Sequence, residues 1–378
     1  MASLSVSHAS VFPTNPTTSL FKHRPAFRTP SANPSLFSRK IDSCTSWSSN
    51  YETRVSRTTM ITRSVGEDDR KLIGVQTNEE AVEVSSWVDC LPKETRPYAK
   101  LARVDKPIGT WLFMFPLAWS AALAAPAGSL PDFKTLALVF CATPLLRGAA
   151  CTINDFFDRD LDKLVERTKL RPLASGTVTP FQGLCFFGFQ MLLFHGILLQ
   201  LAHNSLMYEA VYLFLISTYP LMKRITYWPQ AYLGLTINWG AILVWHAVKG
   251  SLQPSILFPL FLSGFFWTIL YDTIYAHQDK EDDMKVGIKS TALKFGESTK
   301  EWISGFATAC IGSFALTGYN AALGWPFYAF LAAAAAQLAW QIGTANLSSP
   351  TDCNQKFVSN KWFGAIIFSG MLLGRVFS

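Results

Sequence analysis

Three aspartates near the middle of the chain have the spacing of one helical face. Asp155, Asp158 and Asp162 lie three and four residues apart, and side chains at this spacing project from the same side of an α-helix. Asn154 precedes them at the end of an apolar stretch that is long enough to span a membrane. Like-charged carboxylates that converge at a membrane boundary repel one another and require counter-charge. This segment is therefore a candidate cation site.

A second set of aspartates begins near the end of the sixth apolar stretch and continues past it. Asp272, Asp279 and Asp283 are separated by seven and four residues, so a helix would bring them to one face. Both sets lie at the same end of an even-numbered apolar stretch, and we expect them to face the same aqueous side. Either set alone is typical of a solvated loop of mixed charge, but two sets on one side predict a shared site.

The donor atoms of this predicted site are carboxylate oxygens. No Cys or His lies at ligand spacing, which favours Mg²⁺ over zinc, and His277 nearby is expected to have a supporting polar role. Mg²⁺ held by a few carboxylates usually completes its coordination with water and phosphate oxygens. Several basic side chains near the aspartates suit the binding of a diphosphate. The alternative is that they only set the membrane topology. They are Arg167, Arg171, Lys223, Lys285 and Lys289.

The composition excludes an ordinary soluble enzyme. Of the 378 residues, 49% are hydrophobic and only 16% are charged, whereas soluble domains carry about 25% charged residues. Nine apolar stretches have about the length that spans a bilayer. They are residues 107–125, 134–154, 181–202, 206–222, 229–248, 254–276, 299–318, 324–345 and 358–377. The predicted fold is all-α, with nine transmembrane helices around a central cavity.

Charged residues mark one face of this predicted bundle. From residue 107 onward the chain holds 33 charged side chains, and 21 of them lie in segments 155–171 and 279–301. The loops after even-numbered stretches carry these segments and also Lys223 and Arg224. By the positive-inside rule, this face is the cytoplasm-derived side of the membrane, which is the matrix side in a mitochondrion.

The first 66 residues are similar to an organellar transit peptide. They are rich in Ser, Thr and Pro, contain eight basic and two acidic residues, and lack the apolar run of a secretory signal. They account for most of the net charge of +7, so the basic balance does not indicate nucleic-acid binding. Residues 67–106 are predicted to be a polar lead-in and 107–378 the membrane domain. We expect a multi-pass protein of the mitochondrial inner membrane, with a plastid or endoplasmic reticulum membrane as the alternative.

Several motifs resemble the UbiA-type intramembrane prenyltransferases. Residues 154–162 match the family motif NDxxDxxxD, and residues 279–283 match its second motif, DxxxD. The segments RVDKPIGTWL, RPLASG and YPLMKR also match, and the resemblance extends from about Ala99 to the C-terminus. Within the family, the chain is most similar to plant enzymes of ubiquinone biosynthesis. The resemblance implies transfer of a prenyl chain from a prenyl diphosphate to the ring carbon ortho to the hydroxyl of 4-hydroxybenzoate.

The resemblance also implies roles for individual residues. Those expected to hold the diphosphate through Mg²⁺ are Asp155, Asp158, Asp162, Asp279 and Asp283, assisted by Asn154. Tyr219 and Lys223 match family positions near the departing diphosphate. Arg103 and Arg147 are candidates for binding either the carboxylate of the aromatic acid or the diphosphate. Asp272 is a candidate for orienting or deprotonating the phenol.

Loss of diphosphate from a prenyl chain leaves an allylic cation that aromatic faces can stabilise. The candidates for this role are Phe156, Phe157, Trp239, Trp267, Tyr271 and Tyr275. The alternative is that these aromatic side chains serve in packing or at the membrane interface. Two further functions stay open at this point. One is transfer of a short geranyl chain to 4-hydroxybenzoate or another phenolic acid in specialised plant metabolism. The other, from a different class, is ion-coupled secondary transport.

Overall fold

The computed structural model describes residues 87–165 and 167–378, and the predicted transit segment 1–66 lies outside them. All regular secondary structure in the described residues is helical. A 3₁₀ turn at Trp87–Cys90 and the short helix α1, Arg96–Leu101, precede the long helices. Both fall within the predicted polar lead-in, whose limits stay a prediction.

Nine long helices in the described residues each overlap one of the nine predicted stretches. In chain order, the long helices are α2 (Ile108–Ala124), α3 (Phe133–Asp162), α4 (Pro180–Leu198), α5 (Leu206–Ile225), α6 (Pro229–Lys249), α7 (Pro254–Ala276), α10 (Thr299–Asn320), α11 (Trp325–Thr344) and α12 (Pro350–Val376). Two short helices, α8 (Lys280–Val286) and α9 (Thr291–Phe295), lie between α7 and α10. The all-α fold is therefore confirmed. By length and composition, α3, α4, α6, α7 with its continuation to Val286, and α12 can each cross a membrane. That all nine cross it stays a prediction.

Local sequence determines where the helices begin. The carboxylate of Asp132 accepts a hydrogen bond from the backbone N–H of Thr135 at 3.0 Å and caps α3, as expected for an N-cap residue. At α4, Thr179 and Gln182 form a reciprocal capping box, which satisfies two free backbone donors. Ser349 caps α12 at its Asp352 N–H, and this helix therefore begins before the predicted limit of 358.

The two largest hydrophobic clusters of the described residues hold the bundle together, and α2 and α6 contribute to both. One cluster joins them to α7, α10, α11 and α12 around Trp119 and Trp267, whose ring centroids are 5.3 Å apart. The other joins them to α3, α4 and α5 around Leu146 and Tyr212. Because α3 and α7 carry the two aspartate sets, both sets are attached to one shared scaffold.

The second aspartate set does not lie on a continuous α-helix. Helix α7 ends at Ala276, and a 3₁₀ turn from His277 to Asp279 leads into α8. The ring Nδ1 of His277 lies 2.9 Å from the carbonyl oxygen of Thr273, which occupies an acceptor at the helix end. The first aspartate of this set therefore lies in α7 and the last, Asp283, in α8. His277 has the supporting polar contact expected from the sequence.

Candidate active site

Basic side chains contact the buried aspartates at the end of α3. One nitrogen of Arg103, Nη2, donates to both carboxylate oxygens of Asp155 at 2.8 Å. Nη1 of Arg171 donates to Asp155 at 3.2 Å and to Asp162 at 2.9 Å. Hydrogen bonds between charged groups are stronger than neutral ones. The predicted proximity of Arg171 to this set is therefore present in the structure, and Arg103 joins it.

Asp158 is fully buried, with 0% of its surface exposed, and has two cationic neighbours. Nζ of Lys223 donates to Oδ2. Nη2 of Arg224 lies 3.7 Å from Oδ1 and donates to the carbonyl oxygen of Phe157 at 2.6 Å. Among the described residues, Oδ1 has no hydrogen-bond partner. Arg224 is not among the site residues predicted from the sequence, although its position next to Lys223 is a signal that would identify it.

Arg167 brings the second aspartate set to the first. Its Nε and Nη2 donate to the two carboxylate oxygens of Asp279 at 2.9 and 2.6 Å. Burial by itself lowers the pKa of Arg167, but Tyr275 and the hydrogen-bonded Asp279 outweigh it, so the pKa lies above its ordinary value. Since Arg167 and Arg171 lie in the same loop, one segment links both sets. We call this cluster of aspartates and cations the charged mouth.

The two lysines that follow the second set have different environments. The backbone N–H of Lys289 donates to the carbonyl oxygen of Lys223 at 2.9 Å, and its Nζ donates to that of Ile225 at 3.1 Å. Lys289 thus holds the end of α5 at the margin of the charged mouth. Lys285 donates to Asp282 at 3.1 Å, and its side chain is 71% exposed. The structure therefore does not bring Lys285 to the aspartates of either set.

A second polar group lies deeper in the bundle, beginning with Arg147 of α3. Its buried Nε has no hydrogen-bond partner among the described residues, and its Cζ lies 5.4 Å from the ring centroid of Phe113. Gly109 makes room for it, because a Cβ there would lie 2.8 Å from Cζ. Asp272 of α7 lies within electrostatic reach of Arg147. Asn154, about two turns further along α3, is half-buried between this group and the charged mouth.

Two tyrosines connect the deeper group with the charged mouth. Tyr219 of α5 lies within electrostatic reach of Asp158, Asp272 and Arg147. Tyr271 of α7 is almost fully buried and interacts with Asp272 and Arg147. Three helices, α3, α5 and α7, therefore contribute polar side chains to one region below the mouth. We call this group of Arg147, Asp272, Tyr219 and Tyr271 the inner polar group.

The aromatic residues selected from the sequence divide between packing and the site. Trp267 is fully buried and packs edge-on against Tyr271, with 5.0 Å between ring centroids. Nε1 of Trp239 donates to a backbone carbonyl of α5 at 2.9 Å. Tyr275 instead lies within electrostatic reach of Arg167. Tyr275 and Tyr271 are therefore the aromatic side chains that the structure associates with charged site residues.

Lys106 is a cation of the charged mouth that sequence analysis did not select. Burial lowers its pKa, and the positive charges of Arg103, Arg167 and Arg171 lower it further against the opposing effect of Asp105. The signal in the sequence is the segment RVDKP, which also contains Arg103. This lysine lies where a polyanion would meet several positive charges at once.

The donor chemistry of the charged mouth fits a hard divalent cation. Its acidic ligands are oxygen donors, which Mg²⁺ prefers, and buried Oδ1 of Asp158 has no hydrogen-bond partner in the described part of the chain. Within residues 87–165 and 167–378, no three Asp, Glu, His or Cys side chains form a ready-made metal cluster. Instead, arginine and lysine side chains lie against the aspartates.

Relatives with similar sequences have the names of prenyl-transferring enzymes. The chain is 64% identical over 312 residues to the mitochondrial 4-hydroxybenzoate polyprenyltransferase of Arabidopsis thaliana, which covers 82% of this chain and 75% of that protein. It is 58% identical over 293 residues to 4-hydroxybenzoate geranyltransferase 2 of Lithospermum erythrorhizon, covering 77% and 95% of the two chains. Both are names of enzymes, which favours catalysis over transport.

Solved structures share the fold. A UbiA homologue from Aeropyrum pernix K1, in its apo form, matches 70% of this chain and 97% of its own with a TM-score of 0.61 at 21% identity. A homologue from Archaeoglobus fulgidus bound to GPP and Mg²⁺ matches 73% and 99% with a TM-score of 0.56 at 16% identity. The family model of the UbiA prenyltransferase family matches residues 113–367, which include both aspartate sets. The chain therefore belongs to the UbiA prenyltransferase family.

Proposed function

We propose that the enzyme transfers a prenyl chain from a prenyl diphosphate to 4-hydroxybenzoate in ubiquinone biosynthesis. The name of the Arabidopsis relative supports this substrate pair. The observation that carries the proposal is the position of Arg147 below a mouth of paired aspartates and cations, with its buried Nε lacking a hydrogen-bond acceptor among the described residues. The mouth suits a diphosphate, and the arginine suits a carboxylate acceptor.

The charged mouth is assigned to the prenyl diphosphate. As the allylic C–O bond breaks, negative charge develops on the leaving diphosphate, and prepositioned donors stabilise it without proton transfer. Arg171, Lys223 and Arg167 supply such donors in this chain. The Archaeoglobus homologue with GPP and Mg²⁺ supports a divalent metal here. Held by the five motif aspartates, Mg²⁺ would add Lewis-acid neutralisation of the diphosphate.

The inner polar group is assigned to the aromatic acid. Desolvating an unpaired carboxylate costs several kcal/mol, so the acceptor requires a cation. Arg103 already donates to Asp155 through Nη2, whereas Nε of Arg147 has no acceptor among the described residues. We therefore assign the acceptor carboxylate to Arg147 and place Arg103 with the diphosphate.

Asp272 then orients the phenol hydroxyl and accepts the one proton that the substitution releases. The new C–C bond forms between the allylic carbon and the ring carbon ortho to the hydroxyl, and the ring proton is lost to restore aromaticity. Asp272 is a half-buried carboxylate within electrostatic reach of Arg147. The apolar helices around this region exclude water, which would otherwise capture the cation.

Short-chain transfer is the second candidate function. The 58% identity to the Lithospermum geranyltransferase favours it. That relative shares the named acceptor of the polyprenyl enzymes, so the two candidates differ in the donor alone. The length of the chain transferred has to be measured.

Mass spectrometry of products tests the proposal. Membranes containing the enzyme receive 4-hydroxybenzoate, Mg²⁺ and a series of prenyl diphosphates, without an ion gradient. We expect ring-prenylated 4-hydroxybenzoate, and we expect EDTA to abolish its formation and added Mg²⁺ to restore it. Absence of a prenylated acid from every donor would overturn the proposal, and full activity in EDTA would overturn the metal assignment.

We also propose that the enzyme spans the mitochondrial inner membrane several times with the charged mouth on the matrix side. Three observations support this location: the mitochondrial name of the Arabidopsis relative, the similarity of residues 1–66 to a transit peptide, and the five helices of the described residues that can cross a membrane. Import of the full chain into isolated mitochondria, followed by protease treatment of mitoplasts, tests it. Import into plastids alone would contradict the assignment.

A further inference from the structure

A hollow beside the charged mouth has no part in the proposed reaction. It has a volume of about 400 Å³ and lies between the end of α3 and the segment 173–180. Arg159 lines it from α3 and Lys163 from the position that follows the last residue of α3, one helical turn away. They project about a quarter turn away from the aspartates of the first set. The hollow is therefore a separate feature on a neighbouring side of the same helix.

The hollow is positively charged. Arg159 Nε and Lys163 Nζ both contact the same oxygen of Asp160, at 3.2 and 3.1 Å. This one carboxylate, whose side chain is 73% exposed, leaves one positive charge in excess among these three side chains. Exposed ion pairs contribute little free energy, so both cations can exchange the Asp160 carboxylate for another anion. Ser175 and Thr179 line the hollow from the segment 173–180.

The position of the hollow points to a lipid as the source of this anion. It lies where α3 ends and α4 begins, and both helices can cross a membrane. The ends of membrane-spanning helices are expected at the level of the lipid headgroups. Three large apolar side chains nearby, Leu164, Leu170 and Phe181, are each at least 70% exposed. Apolar side chains beside lysine and arginine are typical of segments that contact an anionic membrane surface.

We propose that this hollow binds the headgroup phosphate of an anionic phospholipid in the leaflet on the side of the charged mouth. Arg159 and Lys163 contact the phosphate, and the exposed apolar side chains contact the acyl chains. A soluble diphosphate shares the anionic chemistry but has no chains for this apolar surface. The loop that closes the hollow continues from Arg171 of the charged mouth, so a bound lipid would stabilise the loop that links both aspartate sets.

Lipid titration of the reconstituted full chain tests the proposal. The thermal midpoint is measured in phosphatidylcholine nanodiscs with increasing cardiolipin as the anionic probe. Arg159→Ala and Lys163→Ala are each expected to weaken the apparent affinity about fivefold, the change that corresponds to about 1 kcal/mol per basic side chain. The matched control Lys300→Ala removes an exposed lysine elsewhere and should bind as the wild type does.

Two outcomes would overturn the lipid assignment. One is equal weakening by Lys300→Ala, which would mean attraction to the whole surface. The other is protection by inorganic diphosphate in phosphatidylcholine discs that the Arg159 and Lys163 variants abolish, which would mean a soluble anion. Lys163→Arg keeps the charge and should retain cardiolipin binding. This variant separates a loss of charge from a failure to fold.

Discussion

The two aspartate sets of the charged mouth differ in backbone and in burial. The first lies on the unbroken helix α3, where Asp155, Asp158 and Asp162 are at most 5% exposed and each contacts a cation. The second begins with Asp272 inside α7 and continues past the end of that helix through a 3₁₀ turn, and its Asp279 is 20% exposed and pairs with the half-exposed Arg167. The first set is thus built into the core, whereas the second is attached to it.

Because of this difference, substitutions in the two sets should have different effects on the stability of the enzyme and on its activity. Removing one partner of a buried ion pair leaves an uncompensated charge and costs about 3–5 kcal/mol. An exposed pair contributes about 0–1 kcal/mol. Substitutions in the first set should therefore reduce both the stability and the turnover of the enzyme. Substitutions in the second set should reduce turnover while the fold stays intact.

Asp158→Asn tests the buried set and should have the largest effect. It removes a buried charge that Lys223 contacts and a carboxylate assigned to the metal-bound diphosphate. We expect turnover to fall about 10²- to 10³-fold, as for the loss of a transition-state donor, and the thermal midpoint to fall as well. Steady-state kinetics and thermal unfolding in detergent measure the two effects.

Asp160→Asn is the matched control for this prediction. Asp160 lies on the same helix but projects to the opposite side, is largely exposed and pairs with Arg159. We expect turnover within about twofold of wild type, because exposed pairs contribute little. Wild-type turnover in Asp158→Asn, or an equal loss in the control, would contradict the assigned role of the first set.

Asp279→Asn and Asp283→Asn test the attached set. We expect each to lower turnover about 10²-fold through loss of charge stabilisation, with thermal midpoints close to that of wild type. Asp282→Asn is the control, because its carboxylate contacts the exposed Lys285 and not the mouth. If the second-set variants unfold as readily as Asp158→Asn, the contrast between a buried set and an attached set is wrong.

The sequence predicted the elements of the site better than their contacts. The spacing of Asp155, Asp158 and Asp162 is compatible with one face only if the helix continues past the apolar stretch, and α3 does continue to Asp162. Periodicity is a local property, and a long helix preserves it. The interruption after Ala276 was not predictable in this way, since it accompanies a side-chain contact of His277 at the helix end.

Ion pairs between distant segments required the structure. Arg103 donates to Asp155, which lies 52 residues later, and Arg167 donates to Asp279, which lies 112 residues later. Such pairs depend on how helices pack, which composition and spacing do not specify. The same reason explains Lys285, which was grouped with the site because it is close in sequence but lies against Asp282. It also explains why Arg103 and Arg147 could not be distinguished from the sequence.

Arg147→Ala and Arg103→Ala sharpen the contrast between the mouth and the inner polar group. Loss of a hydrogen bond to a charged group costs about 1.5–3 kcal/mol, so each should raise one KM about 10- to 100-fold. We expect the rise for 4-hydroxybenzoate in Arg147→Ala and for the prenyl diphosphate in Arg103→Ala. A phenol without the carboxylate should be a poor substrate of the wild type and lose little further activity in Arg147→Ala. A rise in the KM of the prenyl diphosphate alone in both variants would assign both arginines to the mouth.

Lys106→Arg tests the smallest expected effect, a pH dependence at the edge of the charged mouth. Burial and the neighbouring arginines lower the pKa of Lys106, and the side chain attracts a diphosphate only while it is protonated. Affinity for the prenyl diphosphate should therefore be complete below this pKa and decline as the pH rises through it, at a lower pH than for an ordinary lysine. Arginine stays protonated throughout this range, so the variant should keep its affinity to higher pH. We expect a shift of the alkaline limb of the kcat/KM profile. At neutral pH, kcat/KM should change about fivefold at most, as for the loss of one charge at the protein surface.

Lys100→Arg is the control for this prediction. Lys100 is an exposed lysine that pairs with Asp89, and its substitution should leave the profile unchanged. An identical alkaline limb in Lys106→Arg and wild type would show that another group of the mouth sets the decline.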